Sequence, residues 1–307
     1  MYRLVVSFIS FLFVFAFAQA QNVSNIYVFD MLRVNEGLND KFEFSNPQYV
    51  TDFNARGYNN QPRFFNNSEL YITSQTPYSE QTDIYLLDFK TKKKYQVTET
   101  LEAEYSPTLM PDGYNFSAVR TEGGGVQRLW QFPVDRLSDG KPILKYTENV
   151  GYHHWINSRR LALFIVDEPP YLALANVATD EIKRSVTNIG RCFYTNPTNG
   201  KLAYVHKVTN RTWYIKEMDV YSTAGESEIV TTTLPNGEDF VITRDGTYLM
   251  GRGSKLFKYH PVKDGDKGWR EVLDLRAYGI RNIRRLALSE GDRKIAIVNE
   301  AEALGQY

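Results

Sequence analysis

An excess of charge and a pair of cysteines are both missing from this sequence of 307 residues. The 36 Lys and Arg residues balance 36 Asp and Glu residues, so no basic excess attracts phosphate groups over a distance. Cys192 is the only cysteine and cannot form a disulfide bond within the chain. We therefore expect no nucleic-acid partner and a fold that is stabilised by packing alone.

A long apolar run occurs only at the start of the sequence. Residues 4–17 are almost all apolar, follow the basic Arg3 and precede the small-residue segment Ala18-Gln19-Ala20. This order is typical of a signal peptide. An uncleaved membrane anchor is the alternative, but the run is shorter than the ~20 residues that span a bilayer. We predict a signal peptide over residues 1–20, export of the protein, and no stable membrane span after cleavage.

Aromatic residues are abundant, with 21 Tyr and 18 Phe. Many stand beside Val, Ile or Thr, and all of these residue types favour the pleated, half-buried surface of a β-strand. No segment of useful length has the apolar period of an amphipathic helix. The composition therefore predicts a folded, all-β protein.

A short strand, a tight turn and a second strand recur six times along the chain. The turns are built on Asn, Asp or Gly, as in Pro111-Asp112-Gly113 and Arg244-Asp245-Gly246. The intervals between equivalent turn residues are 45, 46, 41, 46 and 47 residues. Periods of about 40 to 50 residues indicate the blades of a β-propeller. The equivalent turn residues are Ser68, Gly113, Arg159, Gly200, Gly246 and Arg293.

The two ends of the sequence supply complementary halves of one blade. The sixth repeat contains an inner strand pair that ends near residues 294–298, whereas residues 25–30 match a third strand at 83–88. We predict that residues 25–30 and 48–53 are the third and fourth strands of the last blade. This pairing would close the ring and remove two exposed sheet edges. A β-sandwich or an open array is the alternative, but neither explains complementary half-blades.

The predicted architecture is one domain over residues 21–307. It is a six-bladed β-propeller with four antiparallel strands per blade, and its last blade is completed by the N-terminal strands. Residues 106–113, Ser-Pro-Thr-Leu-Met-Pro-Asp-Gly, resemble the Ser-Pro-Asp-Gly turn of the WD40-like PD40 repeat, which is typical of TolB-type propellers. The resemblance covers nearly the whole chain after residue 20. It implies a periplasmic or secreted protein of a Gram-negative bacterium that binds proteins or ligands in the cell envelope.

Catalytic motifs are not recognisable in the sequence. Residues 251–255, Gly-Arg-Gly-Ser-Lys, lack the pattern of a nucleophile elbow and favour a hairpin. Cys192 precedes two aromatic residues on a predicted inner strand, which favours a core position. His153 and His154 are adjacent on a strand and should point to opposite faces, so they should not share a metal ion. We predict no catalytic residue and no metal ligand.

A calcium-dependent propeller hydrolase of the lactonase or gluconolactonase type is the alternative function. Such six-bladed propellers hold an axial metal with Glu, Asn and Asp side chains. Glu104 and Glu238-Asp239 precede predicted inner strands and could approach the axis. Arg191, Arg281 and Arg284 occupy comparable positions and would oppose a cation. The side chains at the axis therefore distinguish the two functions.

Residues that enter each innermost strand line the mouth of a propeller channel, and they are our predicted ligand-binding set. An ordinary solvated rim is the alternative interpretation of these positions. We expect a non-enzymatic binding platform without a cofactor, whose partner is an envelope protein, a peptide or a glycan. The predicted set is Tyr58, Asn60, Gln61, Glu104, Tyr105, Tyr152, His153, Arg191, Glu238 and Arg281.

Overall fold

The computed structural model describes residues 22–36, 39–136, 138–222 and 225–301, and the predicted signal peptide lies outside these ranges. Within them the chain forms 24 β-strands, which make six sheets of four antiparallel strands. The predicted all-β, six-bladed propeller is therefore confirmed. Five single-turn 3-10 helices connect strands at Asp52–Asn54, Gly123–Gly125, Gly265–Lys267, Arg276–Tyr278 and Glu290–Asp292.

In blades 1 to 5 the four strands follow one another in chain order from the axis outwards. Blade 1 contains Tyr58–Phe64, Glu69–Gln75, Asp83–Asp88 and Lys93–Gln96; blade 2 contains Ala103–Leu109, Asn115–Thr121, Gln127–Pro133 and Lys141–Pro142; blade 3 contains Val150–Asn157, Arg160–Ile165, Tyr171–Asn176 and Glu181–Thr187. Blade 4 contains Ile189–Thr195, Leu202–Lys207, Trp213–Met218 and Ser227–Thr232; blade 5 contains Phe240–Ile242, Tyr248–Arg252, Lys255–Tyr259 and Arg270–Asp274.

Blade 6 joins the two ends of the chain, as the sequence predicted. Its inner strands are Ile283–Leu288 and Lys294–Glu300, and its third strand is Ser24–Glu36, which pairs antiparallel with Lys294–Glu300. The predicted fourth strand at residues 48–53 is wrong, because the outermost strand is Asn39–Tyr49. The third strand runs six residues past its predicted end, so the fourth strand begins at Asn39 instead of residue 48. The chain that follows the fourth strand crosses to blade 1 through the 3-10 turn Asp52–Asn54.

Apolar side chains fill the spaces between neighbouring blades. In the described part of the chain they form six clusters, one between each pair of adjacent blades. Between blades 1 and 2, for example, the rings of Tyr71 and Phe116 lie with their centroids 5.6 Å apart, and both side chains are buried. Because every blade packs on two neighbours, the ring behaves as one cooperative unit.

A buried polar network joins the start of blade 6's third strand to blade 1. Ser24 Oγ donates to the Asn59 carbonyl oxygen at 2.9 Å, and Asn59 Nδ2 donates to the Ser24 carbonyl oxygen at 2.8 Å. Asn54 Nδ2 donates to Asn59 Oδ1 at 3.0 Å and to Ser74 Oγ at 2.9 Å. All four residues are buried, so water does not compete for these hydrogen bonds. They connect blade 6 to blade 1 at the point where the ring closes.

The predicted hairpin at residues 251–255 is also confirmed, because Gly253 turns the chain between the second and third strands of blade 5. Gly123–Gly125 connects the same two strands of blade 2. None of the helices in the described ranges has the length and apolar character that a membrane crossing requires.

Candidate functional site

The inner strands of blades 1 and 2 bulge towards the axis at equivalent points. Gln61 and Ser106 have positive φ angles of 53° and 56°, and strand pairing is interrupted at both positions. Each is followed by a proline, which cannot donate a ladder hydrogen bond. Gln61 Oε1 accepts from Ser106 N at 2.9 Å and from Thr73 Oγ1 at 2.7 Å, which links the two blades. Bulges re-aim the residues beside them, and here they shape the channel wall.

An axial cavity of about 70 Å³ lies between the inner strands and takes residues from all six blades. Among the described residues that line it, the charged side chains are Arg63, Arg191, Asp239 and Arg285. Three guanidinium groups therefore face one carboxylate, although the whole chain has no net charge. The lining of the axial cavity therefore carries a net positive charge, whereas the protein as a whole is neutral.

Arg285 is the most fully paired of the three arginines. Its Nη2 donates to Tyr152 Oη at 3.0 Å, and its Nη1 lies 3.6 Å from Asp239 Oδ2. Asp239 Oδ1 accepts from the backbone amide of Leu286 at 2.9 Å. Burial raises the pKa of Asp239, and the charge of Arg285 is the main effect that opposes the rise. One Asp239 oxygen thus accepts a hydrogen bond within the protein, and the other lies within ion-pair distance of Arg285.

Arg191 is only loosely paired. Its Nε lies 3.7 Å from Glu238 Oε2, which is too long for a hydrogen bond. The other oxygen of Glu238 accepts from Lys207 Nζ. Arg191 Nε is a buried donor that has no hydrogen-bond partner among the described residues.

The Arg63 side chain makes no hydrogen bond and no ion pair to any residue in the described ranges. It acts on its neighbours through its charge. Burial, and then the charge of Arg63, lowers the pKa of His153 to about 3 and that of His154 to about 3. Both imidazoles are therefore neutral at pH 7, and the positive charge of the axial cavity comes from arginine alone.

The two histidines contact different blades, as the alternation of a strand predicts. His153 Nε2 lies 2.7 Å from Ser117 Oγ of blade 2, whereas His154 Nε2 lies 2.8 Å from Thr195 Oγ1 of blade 4. Cys192, predicted as a core residue, is half-buried and lines the axial cavity. Its thiol donates to the Phe240 carbonyl oxygen at 3.2 Å, and burial raises its pKa, so it stays a neutral thiol.

A second cavity of about 280 Å³, the mouth cavity, opens beside the axial cavity and shares four lining residues with it: Arg191, Asp239, Arg285 and Leu286. The mouth cavity adds Glu238, Arg252 and Arg284. The Arg284 guanidinium pairs with the Glu300 carboxylate. Together the two cavities form a funnel that narrows from the mouth to the axis.

Half of the predicted binding set lines this funnel. Gln61, Tyr152, His153 and Arg191 line the axial cavity, and Glu238 lines the mouth cavity. Asn60 is buried outside the lining and accepts from Gln61 N at 2.8 Å, so it supports the bulge. Tyr58 and Tyr105 lie in neither lining. Tyr58 is nevertheless close: burial raises its pKa, while the charge of Arg285 is the next largest effect.

Glu104 does not approach the axis, and its predicted place at the mouth is wrong. Its side chain is fully buried between blades 1 and 2, where Oε1 accepts from Arg120 Nε at 2.9 Å and from Thr100 Oγ1 at 2.6 Å. Burial raises the pKa of Glu104, and Thr100 and Arg120 oppose the rise. The Arg120 guanidinium lies 4.1 Å from the centre of the Trp130 ring. This is an internal ion pair between two neighbouring strands of blade 2.

Arg281 is also misplaced, since it is exposed and lines neither cavity. The sequence prediction compared Arg281 and Arg284 with Arg191 and missed Arg285. Pairing with the second strand of blade 6 shifts between Ile283 and Arg285, and such an extra residue exchanges the faces on which the following side chains lie. Arg63 was missed for the same reason, because it follows the bulge at Gln61.

The axial side chains do not fit a calcium ion. Calcium takes six to eight oxygen ligands, whereas the axis presents Asp239 among three guanidinium groups. Nowhere in the described ranges do three His, Cys, Asp or Glu side chains cluster in a way that could hold a metal. Glu104, one of the carboxylates that were predicted to approach the axis, instead forms an ion pair with Arg120.

Similarity to known proteins lies in the fold. No protein-family model matches the chain, and no curated protein matches its sequence. The structure of a TolB candidate from Agrobacterium tumefaciens superposes with a TM-score of 0.67 over 92% of this chain and 100% of that one, at 10% identity. The chain has the fold of a TolB-type propeller. The predicted resemblance is confirmed for the propeller fold.

Other solved structures share the TolB-type propeller fold. TolB from Acinetobacter baumannii has a TM-score of 0.55 at 12% identity, over 91% of this chain and 64% of that chain. An auxiliary nutrient binding protein from Bacteroides thetaiotaomicron has a TM-score of 0.54 at 11% identity, over 91% and 77% of the two chains. Identities this low establish the propeller and leave the ligand open.

Proposed function

We propose that the protein is an exported binding propeller of a Gram-negative cell envelope, periplasmic or secreted, which acts by binding a partner at its funnel. The observation that carries this proposal is the positive axial cavity, in which Arg63 and Arg191 have binding capacity that the protein itself does not use. The structural similarity to TolB and to a nutrient-binding propeller supports binding in the envelope.

The face that carries the mouth also presents exposed apolar side chains. In a four-stranded antiparallel blade, the loop into the inner strand and the loop between the second and third strands lie at the same end of the propeller. Tyr78, Leu101 and Tyr146 occupy such loops in blades 1 to 3 and are 98%, 97% and 75% exposed. Aromatic and apolar residues are enriched at protein interfaces. These loops therefore support a peptide or protein ligand around the funnel.

Binding at the funnel is testable with arrays of peptides and glycans probed with the labelled protein. A ligand that uses the funnel should bind Arg191→Ala at least about tenfold more weakly than the wild type, because a charged contact is lost. Arg159→Ala is the matched control, since Arg159 is exposed at an inner turn on the opposite face. Ligands that bind both variants as well as the wild type would contradict the proposal.

Export is tested separately by fractionating cells that express the tagged full-length chain. We expect the protein in the periplasmic fraction or the medium, without the first 20 residues. A full-length protein retained in the cytoplasm would contradict the proposed location without bearing on the funnel.

A further inference from the structure

Among the described residues, several buried polar atoms lack a hydrogen-bond partner, and three of them lie around one cavity, the axial cavity. Ser106 Oγ, His153 Nδ1 and Arg191 Nε are all buried and have no hydrogen-bond partner in the described part of the chain, and all three residues line this one cavity. Buried polar groups in proteins are nearly always paired, so each exception requires an explanation. Three exceptions around one small space point to a ligand group that they bind together.

His153 presents to the axial cavity one ring nitrogen, Nδ1, that has no partner among the described residues. Its other nitrogen, Nε2, lies 2.7 Å from Ser117 Oγ, which also accepts from Trp155 Nε1 at 2.9 Å and donates to the Thr108 carbonyl oxygen at 3.2 Å. Ser117 Oγ can pair with Nε2 in either tautomer of the neutral imidazole. An acceptor group bound in the cavity would select the tautomer in which Nδ1 carries the proton.

The axial cavity can thus offer several donors to one ligand group. They come from four successive blades: Arg63 from blade 1, Ser106 from blade 2, His153 from blade 3 and Arg191 from blade 4. Asp239, the carboxylate in the lining, has its two oxygens directed to Leu286 N and Arg285. A group that satisfies convergent donors and two guanidinium charges must carry several acceptor oxygens and a negative charge.

The dimensions of the funnel restrict this group further. The axial cavity of about 70 Å³ is much smaller than the mouth cavity of about 280 Å³, so a small carboxylate group enters it more readily than a sugar ring. The mouth cavity of about 280 Å³ leads into it and admits the chain that carries the carboxylate. A narrow, extended ligand that ends in a carboxylate fits this shape.

We propose that the axial cavity binds the C-terminal carboxylate of a peptide that enters through the mouth cavity. This inference rests on the proposed function, because it names the chemical group that a funnel ligand inserts. Arg63 is its charged anchor, with Ser106 Oγ and His153 Nδ1–H as neutral donors and Arg191 at the junction of the two cavities.

The test uses purified full-length protein and N-acetylated trialanine, in free-acid and C-terminally amidated forms, in ligand-observed NMR titrations. The free acid should bind at least about tenfold more tightly than the amide, because charge-assisted hydrogen bonds are the stronger ones. Arg63→Gln should remove this preference, and Arg159→Gln should keep it. Acetate should compete with the free acid, whereas glucuronate, whose carboxylate is attached to a ring, should not.

A second measurement on the wild-type protein does not depend on any variant. Added chloride should compete with the free acid and weaken its binding more than that of the amide, because only the free acid relies on the positive charge of the cavity. Equal binding of acid and amide, no binding of the acid at millimolar concentration, or competition by glucuronate would each overturn the inference. The proposed function would still hold after such a result if ligands found on the peptide and glycan arrays bound Arg191→Ala more weakly than the wild type. It would be contradicted on its own if none of them did.

Discussion

Asn59→Ala tests the polar network that closes the ring between blades 6 and 1. The side chain of Asn59 is fully buried and makes four hydrogen bonds. Its Nδ2 donates to the carbonyl oxygens of Ser24 and Asn54, both at 2.8 Å. Its Oδ1 accepts from Asn54 Nδ2 at 3.0 Å and from Ser74 Oγ at 2.9 Å. Alanine removes all four bonds at the point where the N-terminal strand meets blade 1.

The magnitude follows from the number of bonds. A typical hydrogen bond contributes about 0.5 to 1.5 kcal/mol net, so four bonds contribute roughly 2 to 6 kcal/mol. We expect the free energy of unfolding to fall by about 4 kcal/mol, from a total that is about 5 to 15 kcal/mol in most proteins. At about 2 to 4 °C per kcal/mol for a chain of this size, the melting temperature should fall by roughly 8 to 16 °C.

Urea unfolding and thermal melting, both followed by circular dichroism, measure the loss. Hydrogen exchange locates it, because the amides of Ser24–Glu36 should lose protection in Asn59→Ala more than those of the inner strands of blades 2 to 4. Asn22→Ala is the control, since Asn22 is exposed and makes one hydrogen bond, to Glu300. We expect it to change stability by less than about 0.5 kcal/mol. A loss below about 1 kcal/mol in Asn59→Ala would refute the assigned role of the network.

Three further predictions concern the fold. Burial, and then the charge of Glu104, raises the pKa of Asp83 to about 7. The folded state therefore keeps a proton that the unfolded state releases, and the free energy of unfolding should fall as pH rises from about 4 to about 7. Asp83→Asn should flatten this pH dependence in thermal melts at several pH values, whereas Asp139→Asn, at an exposed position, should not. Deleting residues 22–53 removes two strands of blade 6 and should abolish the cooperative melt. Arg120→Met strands the buried Glu104 carboxylate and should cost about 3 to 5 kcal/mol in urea unfolding, which the added Glu104→Met should largely restore.

The ring could be predicted because its signals are periodic and local. Turn residues near Gly113, Gly200 and Gly246 repeat at the blade period, and each takes a positive φ angle in the structure, of 73°, 72° and 87°. The match between residues 25–30 and 83–88 placed the N-terminal strand beside the C-terminal pair. The length of that strand could not be predicted, because the last blade has no outer turn of the repeating type.

The site was harder to predict, because side-chain direction at the axis depends on bulges. Alternation along an inner strand no longer gives the side-chain direction once an extra residue is inserted, so the sequence prediction did not include Arg63 and Arg285. A signal for Glu104 was available. In the predicted hairpin around Gly113, Glu104 stands opposite Arg120, and facing positions of opposite charge indicate an internal pair.

The axial arginines also connect binding with stability. Arg63, Arg191 and Arg285 share a small cavity with one carboxylate, so their mutual repulsion opposes folding of the ligand-free protein. A bound carboxylate would relieve that repulsion, and a ligand that binds only the folded state raises the melting temperature. Arg63→Gln should therefore melt at a higher temperature than the wild type without ligand, and should lose the further rise that the free-acid peptide produces.

These two effects have opposite signs, which separates a binding residue from a structural one. A residue that stabilises the fold would lower the melting temperature when it is replaced, whatever it did to the ligand. A residue that is retained for binding at some expense of stability does the reverse. Arg120, which is paired with buried Glu104, should follow the first pattern, and Arg63, which has no ion pair in the described ranges, should follow the second. A lower melting temperature for Arg63→Gln in the absence of ligand would assign Arg63 to the fold instead.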